Sequence, residues 1–207
     1  MAGNRIGRLV RELPRAVGYY RGPRLMSWLR KRWVLLRHPH ADIRFTGPVY
    51  LGPGFSLHIP RGGTFVVGAG VEFRRGFRAE LEGGRIEIGA GSVFTYYVLM
   101  QCSTTIEIGR RCMFGQSTIV VDGNHRFRDL DRPMLDQGYD FAPVRIGDDA
   151  TITSKCTIMA DVGERAFIGA NAVVTRPVPP FTVAVGAPAK PIEYFGPPDR
   201  EPFAAQS

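Results

Sequence analysis

Residues 146–174 read IGDDATITSKCTIMADVGERAFIGANAVV. Ile146, Ile152 and Ile158 follow one another at steps of six, and so do Val162, Ile168 and Val174. That step fits neither the 3.6-residue turn of an α-helix nor the two-residue alternation of a simple strand. It fits a solenoid in which each flat face uses one repeat and three repeats close a triangular coil. Each aliphatic side chain then points inward and stacks on its counterpart about 4.8 Å away along the axis. Upstream the same anchors recur as an aliphatic residue followed by glycine, at Val67-Gly68, Ile88-Gly89 and Ile108-Gly109, with Phe94, Phe114 and Val120 at the intervening steps. Glycine is expected to supply the corner conformation that a side chain would hinder. Between Ile158 and Val162 the step falls to four, which predicts a tight or distorted corner.

Other segments depart from this period. Residues 5–20 place Ile6, Leu9, Val10, Leu13 and Val17 at helical spacing, with Pro14 as a break. Residues 24–37 repeat the theme. Leu25, Trp28, Leu29, Trp33 and Leu36 make one face, and Arg24, Arg30, Lys31, Arg32 and Arg37 surround it. Such a basic helix with tryptophan suits a membrane interface, or packs its apolar face on the protein and turns its arginines to solvent. The segment VDGNHRFRDLDRPMLDQGYDFAP (121–143) cannot continue the inward ladder and reads as an extruded loop. In PVPPFTVAVGAPAKPI (177–192), prolines stop the coils, and Val183, Val185 and Ile192 are expected in a closing strand. The division is a basic helical segment over 1–45, a repeat domain over 46–192 with its loop at 122–143, and a mobile tail over 193–207.

Charge is uneven in the same way. Residues 1–40 hold ten Arg/Lys and one acid, a balance of +9; the remaining 17 Arg/Lys and 18 acids give −1, for +8 in all. The basic character belongs to the first segment, so no nucleic-acid role follows from the whole-chain charge. Cys102, Cys112 and Cys156 are odd in number and form no CxxC, which argues for three small core residues in a reducing compartment and against a zinc or disulfide framework. No apolar run reaches the roughly 18–20 residues that span a bilayer. The expectation is a cytoplasmic protein, peripheral at most to the inner membrane face.

The stretch from Ile106 to Ile192 resembles the left-handed β-helix acyltransferases with hexapeptide repeats, a family that includes sugar and capsule-polysaccharide O-acetyltransferases. IGRRCMFGQSTIVVDGNH (108–125) is similar to the coil that leads into the family's catalytic histidine. A loop then returns through PVRIGDDATI (143–152), and IGANAVVTRPVPPFTVAVGAPAKPI (168–192) is similar to the family's terminal pattern. The resemblance implies an all-β solenoid, a homotrimer, and a coenzyme-A-dependent acyltransferase, acetyl by default and with no metal. The acceptor is then a sugar, glycan or glycolipid. His125 is implied as the general base, in a groove between protomers. Ser154, Ala170, Thr175, Arg176 and Lys190 fall at cofactor-binding positions. Thr95 stands where the sugar acetyltransferases place an acceptor-binding Asn; Tyr97, Asn124 and Tyr139 join it as substrate candidates. Thr151 and Thr153 replace a frequent Trp and Gly. Asp122 is a candidate to orient His125, and a backbone carbonyl is the other. Gly123 and Asn124 are expected to let the backbone approach a developing oxyanion.

The competing reading is a non-catalytic trimeric scaffold at the membrane surface, since fold does not fix function. A zinc carbonic anhydrase on this fold needs three histidines, and only His125 follows His58.

Overall fold

The computed structural model describes residues 24–201. The helical segment read over 5–20 and the end of the tail lie outside the described residues. Three parallel sheets carry the repeat. The first runs through Asp42–Phe45, Thr64–Val67, Arg85–Ile88, Thr105–Ile108 and Val144–Ile146. Tyr50–Leu51, Glu72–Phe73, Val93–Phe94, Met113–Phe114, Thr151–Ile152, Phe167–Ile168 and Thr182–Val185 make the second, to which Lys190–Tyr194 is added antiparallel. The third holds Ser56–His58, Arg78–Leu81, Leu99–Cys102, Ile119–Val121, Thr157–Ile158 and Val173–Val174. The chain visits first, second and third sheet in rotation, so each circuit adds one strand to each.

The positions read as inward are buried: Ile88, Phe94, Ile108, Phe114, Val120, Ile146, Ile152, Ile158, Val162, Ile168 and Val174 all belong to one core. Circuits differ in length. Leu51 pairs with Phe73 and Ile86 with Ile106, at 22 and 20 residues, whereas Ile146, Val162 and Val178 recur at 16. The four-residue step at Ile158–Val162 therefore occurs twice, again at Val174–Val178. There the first sheet shrinks to single bridging residues.

The recurring glycines act differently from the expectation. Gly89 and Gly109 are not left-handed; a Cβ on Gly89 would stand 2.5 Å from the Gly109 carbonyl carbon, and one on Gly109 would stand 2.6 Å from the Asp148 nitrogen. They are glycine because the next circuit passes too close for a side chain. The left-handed corners lie elsewhere, at Gly70, Gly91, Tyr97, Arg111 and Ser117 before the hairpin and at Asp149, Lys155, Arg165 and Asn171 after it.

Of the two orientations open to helix α1 (Arg24–Arg37), the one that packs its apolar face on the coils is not the one found. Its buried residues are Ser27 and Val34, while Leu25, Trp28, Leu29, Trp33 and Leu36 are exposed, Trp33 at 63% and Leu36 at 76%. The cause is the sheet edge beneath it. Tyr50–Leu51 is the outermost strand of the second sheet, and its backbone groups need partners. Ser27 Oγ accepts from the Leu51 N–H at 2.9 Å and donates to the Val49 carbonyl at 3.4 Å, and Arg30 donates to the Leu51 carbonyl at 3.0 Å. Leucine and tryptophan cannot make those bonds, so the side that carries Ser27, Arg30 and Val34 turns inward.

At the other end, Ile192 is 63% exposed and Val185 is also at the surface, so neither closes the core; Thr182 and Ala184 do. Residues 193–201, expected as part of a mobile tail, bond back onto the coils: Phe195 N–H donates to the Phe181 carbonyl at 3.0 Å and Arg200 lies 3.7 Å from Glu164. The three cysteines are free and buried. No described helix is long and apolar enough to cross a membrane.

Candidate functional site

Between the strands Ile119–Val121 and Val144–Ile146 the chain leaves the sheets as an antiparallel hairpin, Gly123–His125 against Tyr139–Phe141. Ile106 pairs with Val144 directly across the interruption, so the circuits stack as though the hairpin were absent. Its root is held by Asp122. The buried carboxylate accepts from the Ser103 N–H at 2.9 Å, the Thr104 N–H at 2.6 Å and the Thr104 hydroxyl at 2.8 Å. A buried carboxylate needs such donors. Asp122 thus anchors the hairpin, and its carboxylate is turned to the preceding circuit instead of to His125. Gly123 likewise serves packing, since a Cβ there would meet the Phe141 ring at 2.7 Å.

His125 is exposed at the hairpin edge, opposite Tyr139. The two rings lie 4.3 Å apart, and Tyr139 stacks in turn on Phe141 at 5.6 Å. The imidazole opens into a cleft of about 390 Å³ formed by the hairpin itself. Gln137, which the sequence reading did not single out, holds the shape of that cleft. It is buried; its amide nitrogen donates to the carbonyls of Asp129 and Arg132, both at 2.9 Å, and its oxygen accepts from the Asp129 N–H at 3.0 Å. Arg126, Arg128 and Arg132 also line the cleft.

The remaining candidates fall in two groups along the third sheet. Ser154 and Ala170 occupy the same corner on successive circuits, where the Asn171 N–H donates to the Ser154 carbonyl at 3.0 Å. Thr175 and Arg176 are exposed at the opposite corner, just past Val173–Val174. Lys190 follows Ala189, whose N–H donates to the Val173 carbonyl at 2.8 Å. These five residues thus frame the third sheet of the last circuits. Val120, Ile158 and Val174 are aligned partners, so Thr175 shares the hairpin's corner, two strand spacings or about 10 Å along the axis. Thr95 and Tyr97 sit at the corner away from the hairpin, between Val93–Phe94 and Leu99–Cys102, whereas Asn124 and Tyr139 lie on the hairpin. Within one chain the structure does not bring these two pairs together. Thr95 Oγ1 is buried without a hydrogen-bond partner, and the Tyr97 ring covers Gly76.

The cysteines supply no nucleophile. Burial pushes the Cys102 thiol up to about 12, with Asp122 adding to the effect, and burial pushes Cys112 to about 11. Among the described residues no group of three His, Cys, Asp or Glu could hold a metal ion.

No protein-family model matches the chain. It is 32% identical over 176 residues to a Mycobacterium tuberculosis protein named a probable acetyltransferase, covering 79% of this chain and 56% of the relative. The chain spans about half the length of the curated relatives it matches. Among solved structures it resembles a hexapeptide-repeat acetyltransferase of Vibrio cholerae complexed with acetyl-coenzyme A, with a TM-score of 0.57 and 24% identity over 82% of this chain and 79% of that one. A maltose O-acetyltransferase of Clostridium difficile gives a TM-score of 0.53 and 23% identity, over 81% and 76%. By sequence the chain is similar to proteins named acetyltransferases, and by fold it resembles hexapeptide-repeat acetyltransferases.

Proposed function

We propose that this chain is a coenzyme-A-dependent O-acyltransferase, acetyl by default, acting on a sugar, glycan or glycolipid with His125 as general base. The observation that carries the reading is the exposed imidazole at the edge of a hairpin, against Tyr139 and open to a cleft. A thioester is already a reactive electrophile; the weak partner is the acceptor hydroxyl. Neutral His125 takes the hydroxyl proton as the oxygen attacks the thioester carbonyl. The tetrahedral intermediate collapses with loss of the C–S bond, and the thiolate leaves as coenzyme A, recovering that proton from the imidazolium. The aromatic surface of Tyr139 and Phe141 suits a sugar ring. The maltose acetyltransferase among the fold neighbours supports the same acceptor class.

Coenzyme A lies along the third sheet of the last circuits, between the Ser154–Ala170 corner and Thr175–Arg176, with Arg176 and Lys190 near its phosphates. The coil is left-handed and the protein is a homotrimer. A neighbouring protomer then supplies what one chain leaves apart, its Thr95 and Tyr97 facing the hairpin that bears Asn124, His125 and Tyr139. The protein is cytoplasmic and peripheral at the membrane. Helix α1 presents Leu25, Trp28, Leu29, Trp33 and Leu36 to solvent beside the exposed cations Arg24, Arg32 and Arg37 and no acid, which is the chemistry of an anionic bilayer surface.

The test is thiol release from acetyl-coenzyme A by the full chain over a panel of sugars and glycolipids. Acceptor-dependent release is expected. A chain that binds neither coenzyme A nor any acceptor contradicts the proposal and favours the scaffold reading.

A further inference from the structure

The cleft beside His125 is lined by three arginines, Arg126, Arg128 and Arg132, and by two aspartates, Asp129 and Asp140. The acids are engaged. Asp140 pairs with Arg126 at 2.7 Å, and Asp129 Oδ1 accepts from the Asp131 N–H at 3.0 Å. Among the described residues, neither Arg128 nor Arg132 is in an ion pair with a carboxylate. Both are nevertheless held in place. The Arg128 guanidinium lies 5.4 Å from the centre of the Phe127 ring, and Arg132 donates through one Nη to the Asp136 carbonyl. Gln137 fixes the loop that carries them, bonding to the carbonyls of Asp129 and Arg132. A fixed guanidinium with free N–H groups is a fork for a carboxylate or a phosphate.

We propose that the acceptor is an anionic sugar, whose carboxylate or phosphate is held by Arg128 and Arg132 while its hydroxyl faces His125. The proposal deepens, and rests on, the acyl-transfer reading. The anion anchors the sugar through groups that take no part in the proton transfer, so these arginines determine acceptor specificity and His125 remains the base.

The test has a binding arm and a turnover arm, on the full chain and on Arg128→Gln and Arg132→Gln. The binding arm titrates glucuronic acid, glucose 1-phosphate and glucose. At least one of the two anionic sugars is expected to bind roughly tenfold tighter than glucose, and both variants are expected to lose that preference. Comparing glucuronic acid with the 1-phosphate separates a carboxylate acceptor from a phosphorylated one. Equal affinity for all three sugars overturns the proposal, whatever the turnover. In the turnover arm the variants are expected to raise KM for the preferred acceptor about tenfold and leave KM for acetyl-coenzyme A unchanged. A rise in KM for acetyl-coenzyme A instead would assign the arginines to the cofactor's phosphates and also overturn it. Anion preference without any acyl transfer would keep the anion site and sink the acyltransferase reading.

Discussion

The circuits before the hairpin and those after it solve one packing problem with different residues. Before it, phenylalanine fills the interior: Phe73, Phe94 and Phe114 stack at 5.0 and 4.6 Å, with Phe77 4.3 Å from Phe73. Corners at Gly54, Gly70, Gly76 and Gly91 adopt positive φ without penalty, although Tyr97, Arg111 and Ser117 already carry side chains at such corners. After it, the interior narrows to Ile152, Ile168, Ala172 and Ala184, and the corners carry side chains at Asp149, Lys155, Arg165 and Asn171. Each non-glycine left-handed residue costs about 1–2 kcal/mol. Lys155 and Asn171 stand next to Ser154 and Ala170, the proposed cofactor positions. The early half is built around bulk and mixes glycine with side-chain corners, whereas the late circuits turn mostly on residues that carry side chains.

The largest expected effect breaks the aromatic stack. Phe94→Ala should lower the unfolding free energy by about 3–5 kcal/mol, and Ile168→Val by about 0.5–1.5. Urea unfolding of both would break the comparison if the two losses were equal. Next come the glycines. Gly89→Ala forces a methyl group against backbone and should cost about 1–3 kcal/mol. Gly91→Ala meets only the flexible Arg111 side chain, with a Cγ at 3.5 Å, and should cost the left-handed penalty of about 1–2 kcal/mol. A free substitution at Gly89 would remove the close-approach account.

The buried thiols bear on the early half. Cys102 and Cys112 are raised from 9.0 to about 12 and about 11. Above pH 9 the unfolded thiol releases its proton and the folded one does not. Their contribution is therefore complete below pH 9 and lost as pH rises toward those values, roughly 1 kcal/mol for each by pH 10. Unfolding at pH 8 and pH 10, beside Cys102→Ala, checks this; an unchanged difference between the two proteins contradicts it. The smallest effect is on the late corners. Lys155→Gly relieves the left-handed penalty of about 1–2 kcal/mol and costs about 0.5–1 kcal/mol of chain entropy, so it should stabilise by about 0–1.5 kcal/mol. A clear loss of stability would show that Lys155 bonds more than its corner.

The inward ladder was legible because a six-residue step is a local property: each of Ile146, Ile152 and Ile158 announces its own direction. Partners distant in sequence were not. The periodicity of residues 24–37 gives an apolar face correctly, but the donors needed by the edge strand at Tyr50–Leu51 decide which face turns inward. The glycine at 89 answers to a backbone 20 residues later. Asp122, next to the hairpin that carries His125, reads as one of two candidates to orient it, beside a backbone carbonyl, and Ser103 and Thr104 turn out to hold its carboxylate. The hairpin and its histidine were readable from their break with the repeat, whereas Gln137 carries no signal apart from the loop it closes.

The most direct test of the central claim is kcat for acetyl transfer by His125→Ala beside the unaltered chain, with coenzyme A affinity measured on both. A fall of about 10²-fold or more with unchanged coenzyme A affinity is predicted; full activity in the variant would contradict His125 as the general base.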